Sequence, residues 1–117
     1  MTAHVDETVL ARLRRDVGGD AATVRRFARN FVSHWAERTA RLEQALAESS
    51  TPDADVVLLS IRSSSRMLGA AQLEAESARM LGALARDDLA GCRRCLPELG
   101  RIGDETCLEL TELFRSA

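Results

Sequence analysis

A chain of 117 residues, 45% hydrophobic and 29% charged, is one domain's worth of polypeptide and can bury a single core without a metal or disulfide staple. Its formal net charge is −2, with 16 basic residues interspersed among 18 acidic ones, so no basic field exists to condense on nucleic acid. No run approaches the roughly 18 apolar residues of a membrane span, and "MTAHVDETVLARL" lacks a signal peptide's basic start and apolar core, which predicts a cytoplasmic protein free of the membrane.

Two prolines, no Tyr and an abundance of Ala, Leu, Arg and Glu predict an all-α fold in one domain over residues 1–117. The first helix is expected from about Asp6 to Asp16 with Val9, Leu10 and Leu13 as its apolar face, closed by Gly18-Gly19. Asp20 is a suitable N-cap for a long helix from about 21 to 48, in which Val24, Phe27, Phe31, Trp35, Leu42, Ala45 and Leu46 recur at helical spacing. "ESSTPD" interrupts it, and Thr51-Pro52-Asp53 reads as N-cap, first-turn proline and an acid on the positive end of the next dipole. That third helix bends at Gly69. A fourth carries Leu73, Ser77, Met80, Leu81 and Leu84 and ends near "ARDD", where Asp87-Asp88 can cap a last helix from about 89 to 115. Leu89, Cys92, Leu96, Leu99, Cys107, Leu110 and Phe114 share one face of it, while Pro97, Gly100 and Gly103 predict a kink or break near 93 to 97. Short loops between amphipathic helices favour antiparallel neighbours, so the expected architecture is an up-down antiparallel four-helix bundle with a short extra N-terminal helix.

Few residues offer chemistry. The two histidines are His4, near the chain start, and His34, mid-helix beside Trp35, and neither has a sequence neighbour that would make a triad. Cys92, Cys95 and Cys107 are odd in number and lack framework spacing, which favours reduced thiols in a reducing compartment. Cys92-Arg93-Arg94-Cys95 is a CxxC whose arginines would lower a thiol pKa, but no second CxxC or His pair completes a zinc site. Cys92 and Cys107 are expected as small core residues with Cys95 at the edge. Ser60, Ser63, Ser64 and Ser65 have no G-x-S-x-G context, and small residues of this kind let helices approach closely. With no base, nucleophile and charge stabiliser placed together, the chain reads as a non-enzyme with no cofactor and no metal.

One feature of the third helix is anomalous. Wound at about 100° per residue, Val57, Ile61, Ser64 and Leu68 form the buried stripe, whereas Leu59 points the other way and shares an outer face with Arg62, Ser63 and Arg66. The order of these helices and the stretch "LSIRSSSRMLGA" resemble the histidine-containing phosphotransfer (HPt) domain of bacterial phosphorelays, whose third-helix pattern is H-x-L-K-G-S-x-x-x-L-G-A. Ser64 and Leu68-Gly69-Ala70 match that pattern, Ile61 stands for its leucine, Arg62 for its lysine and Ser63 for its glycine. Leu59 stands where the family carries the phospho-accepting histidine. The resemblance therefore implies a degenerate two-component signalling domain that docks on a response-regulator receiver domain or a histidine kinase through Leu59, Arg62, Ser63 and Arg66 without transferring phosphate; its oligomeric state is left open, the monomer being slightly favoured. Phosphotransfer through His34, or a helical adaptor or oligomerisation module outside signalling, are the alternatives.

Overall fold

The computed structural model describes residues 5–16 and 21–115. Six helices occupy them: α1 (Glu7–Asp16), α2 (Ala21–Ala47), α3 (Thr51–Leu68), α4 (Ala71–Ala85), α5 (Leu89–Arg94) and α6 (Leu96–Arg115). There is no strand among the described residues, and no helix is long and apolar enough to cross a membrane. The all-α expectation is met. His4, Gly18, Gly19 and Asp20 lie outside the described residues.

The long helices close a ring of contacts in which α3 packs on α2 and α4, and α6 packs on α4 and α2. The helical apolar spacing of α2 buries Val24, Ala28, Phe31, Trp35, Leu42, Ala45 and Leu46 into that ring. Opposite them stand Leu58, Ile61 and Leu68 of α3, Leu73 and Met80 of α4, and Leu99 and Leu110 of α6, each at most 1% exposed. A fully buried side chain of this size contributes about 1.5–3 kcal/mol. The amphipathic face of α1, Leu10 and Leu13, lies against α2 and α3.

Gly69 joins α3 to α4. It is the C-cap of α3 in the left-handed conformation (φ 75°), and the Ala70 N–H donates to the Ser65 carbonyl at 2.8 Å, a closure that satisfies the last carbonyls of the helix. A Cβ on Gly69 would stand 2.7 Å from the Asp6 carbonyl oxygen and 2.9 Å from Val9 Cβ, so the missing side chain also makes room for the start of α1. The Asp6 N–H donates to the Gly69 carbonyl at 2.8 Å.

Two local expectations are corrected. Ser50, not Thr51, precedes the first turn of α3, and its hydroxyl donates to the Asp53 carboxylate at 2.7 Å. The buried stripe of α3 is Ala54, Val57, Leu58, Ile61, Ser65 and Leu68, so Ser65 takes the place expected for Ser64. Packing against α1, α2 and α4 together widens the arc that α3 buries. The Ser65 hydroxyl is satisfied within the helix, donating to the Ile61 carbonyl at 2.6 Å. The break expected near 93 to 97 is present: α5 and α6 meet at Cys95. Pro97 has no N–H to offer the Arg93 carbonyl and its ring would collide with that oxygen, so the chain restarts, with the Leu99 N–H donating to the Cys95 carbonyl at 3.0 Å. Asp88 caps α5 as expected, accepting from the Gly91 N–H at 2.8 Å.

Candidate functional site

The outward side of α3 is the feature that core packing leaves unexplained. Leu59, Arg62, Ser63 and Arg66 are all exposed there, as their helical positions require. Leu59 is 45% exposed, and it is not isolated: Val56 is 61% and Met67 44% exposed. Residues 56, 59, 63 and 67 are separated by three, four and four positions, so Val56, Leu59, Ser63 and Met67 form one continuous strip along the helix. Sequence reasoning missed Val56 and Met67; continuing the i+3/i+4 progression in both directions from Leu59 finds them.

Arg62 and Arg66 border this strip, four residues apart on one edge. Neither guanidinium has a hydrogen-bond or ion-pair partner among the described residues. On the side of α2, Arg41 and Gln44 line a shallow groove of about 280 Å³ with Asp53 and Val57 of α3. The arrangement is an aliphatic strip with cations along its margin. Leucine supplies neither a lone pair nor a proton, so position 59 has no acid-base or nucleophilic chemistry.

The other candidates are not part of this face. The serines of α3 diverge around the helix: Ser63 is exposed, Ser60 and Ser64 are half-buried and Ser65 is buried. His34 is exposed on α2, and its Nδ1–H donates to the Asn30 carbonyl of its own helix at 2.7 Å.

The CxxC departs from the expected electrostatics. Cys92 is fully buried, and burial, reinforced by the neighbouring Cys95, pushes its thiol pKa up to about 11 against the weaker opposing pull of Arg93. Arg93 is engaged elsewhere: its Nε and one terminal nitrogen donate to the Leu46 carbonyl at 3.0 and 2.7 Å, and the same terminal nitrogen to Ser49 Oγ at 3.0 Å. Burial and then the nearby Glu76 raise Cys95, and burial with Asp104 raises Cys107 to about 12. The flanking arginines therefore do not generate a thiolate near neutral pH. Cys92 packs in the core as expected, whereas Cys107 is only partly buried against it. Among the described residues no group of three or more His, Cys, Asp or Glu side chains converges as a metal site.

Compared with protein-family models, with curated proteins and with solved structures, the chain matches none.

Proposed function

We propose that this protein is a degenerate HPt-like module, an up-down antiparallel four-helix bundle with an extra N-terminal helix, that docks on a receiver domain or a histidine kinase without accepting phosphate. The carrying observation is Leu59, 45% exposed within an aliphatic strip whose edge is lined by two guanidiniums without a partner among the described residues. In a phosphorelay the acceptor imidazole attacks an aspartyl phosphate; leucine at that position keeps a docking face and removes the nucleophile. Arg62 retains a positive charge to meet the acidic phosphorylation pocket of a receiver domain, and Leu59, Val56 and Met67 supply apolar surface to desolvate. The module is a regulatory binding protein and not an enzyme, acting in the cytoplasm.

Leu59→Asp tests this reading, because it places a carboxylate in the strip without touching the core. Loss of receiver or kinase binding with an unchanged melting curve is the expected result; retained binding by a folded variant overturns it.

A relay moved to His34 has one observation in its favour. The bond from Nδ1–H to Asn30 fixes the tautomer and leaves the lone pair on Nε2 of an exposed ring. Acid-labile phosphate on the wild-type chain that disappears in His34→Gln would establish that alternative.

A further inference from the structure

The first turns of α2 lie between α1 and the end of α6, and two adjoining grooves flank them. One, of about 480 Å³, has an aliphatic and aromatic floor of Leu10, Ala11, Val24, Leu113 and Phe114. The other, of about 410 Å³, runs on between α2 and α6 past Arg29, Val32, Thr111 and Arg115. Arg25 and Phe114 line both, so Arg25 stands where the two meet.

Arg25 is one of two arginines with a buried, unpaired nitrogen, Arg38 being the other. Its Nε has no hydrogen-bond partner among the described residues, although a buried guanidinium donor is costly to leave unpaired. On its apolar side the floor is uncharged apart from Glu7, Arg14 and Arg15; on its other side Arg29 and Arg115 add positive charge and no carboxylate among the described residues lines the groove. Arg115 is paired with Glu112 at 3.3 Å, both side chains being largely exposed, so that pair is screened and easily exchanged. The volumes fall within the range of small-molecule pockets.

We infer that this junction is a binding site for a small anionic amphiphile, an alkyl chain with one carboxylate or phosphate head. The chain would lie on Leu10, Val24, Leu113 and Phe114, and the head would meet the terminal nitrogens of the Arg25 guanidinium with Arg29 and Arg115 beside it. A neutral alkyl chain would fill the same floor without answering the positive charge of Arg25, Arg29 and Arg115, and a cationic head would be repelled, so charge discriminates between ligands of equal length. The site shares no residue with the α3 face and stands independently of the docking reading.

Titration of the full chain with decanoate, kept below its micellar concentration and followed by calorimetry and by NMR shifts of Val24 and Leu113 methyls, tests this directly. The expected result is saturable 1:1 binding, weakened at least tenfold for decanol, absent for decyltrimethylammonium, weakened at least tenfold in Arg25→Gln and blocked in Ala11→Trp. Equal binding of decanoate and decyltrimethylammonium overturns the proposal without requiring any variant to fold. So does unchanged affinity in a folded Arg25→Gln, or cosedimentation with phosphatidylglycerol vesicles in the absence of saturable decanoate binding.

Discussion

Trp35 occupies the space in which a side chain on Gly103 would stand: a Cβ built on Gly103 would overlap Cζ2, Cε2 and Cη2 of the indole, and the neighbouring Asp104 carboxylate accepts from Trp35 Nε1 at 3.0 Å. α2 and α6 approach closely because one helix presents its largest side chain where the other presents none. Phe31 stacks on the same indole at a centroid distance of 5.8 Å, which confines the ring from the α2 side. Gly103→Ala should therefore destabilise the protein by about 1–3 kcal/mol through overpacking. Chemical denaturation gives the value, and the penalty should shrink in a Trp35→Leu background, where the obstructing ring is gone.

Gly69 is constrained twice, by its left-handed backbone and by the approach of Asp6 and Val9. Gly69→Ala is expected to cost about 1–2 kcal/mol for the conformation alone, with more for displacing α1. Amide exchange locates the damage: Asp6 and Leu10 should lose protection before the α2–α6 contact does.

Arg93 ties α5 to the end of α2, where Ser49 adopts φ 55° and leaves the Leu46 carbonyl outside the regular helical ladder. Arg93→Ala should cost about 1–3 kcal/mol, since a charge-assisted pair of donors to one carbonyl is lost. Arg93→Lys, which cannot reproduce the two-pronged donation, should recover only part of this in thermal denaturation.

The thiols set an alkaline limit. Folding raises the Cys92 pKa from 9.0 to about 11 and that of Cys107 from 9.0 to about 12. The folded state thus retains protons that the unfolded chain gives up above pH 9, so their contribution is intact below that pH and is lost as pH rises through 9 to 12. Stability measured from pH 8 to 11 should fall with rising pH, and the fall should be shallower in Cys92→Ala/Cys107→Ala. Iodoacetamide at pH 7.5 should modify Cys95 before the fully buried Cys92 in the native protein.

Much of this geometry was legible residue by residue. The periodicities of α2 and α6 identify Phe31, Trp35, Leu99 and Leu110 as core, and Pro97 announces the break between α5 and α6 because its effect is local and covalent. The placement of Ser65 and Leu58 was not legible, because a single helical stripe assumes one packing partner and α3 has three. Nor was the role of Arg93, whose acceptor lies 47 residues away; the sequence shows only its cysteine neighbours. At the α3 face, Leu59, Arg62, Ser63 and Arg66 follow from helical phase alone, while the extent of the strip depends on which neighbours leave Val56 and Met67 uncovered.

The most direct measurement is a parallel titration of phosphorylated receiver domains against the wild type, Leu59→His and Leu59→His/Ser63→Gly, reading both binding and acid-labile phosphate on the chain. Binding by the wild type without label, with label appearing on the histidine variants, is the result expected of a docking face that lacks its acceptor. Absence of binding and of label in all three proteins would contradict it, as would phosphate on the wild type.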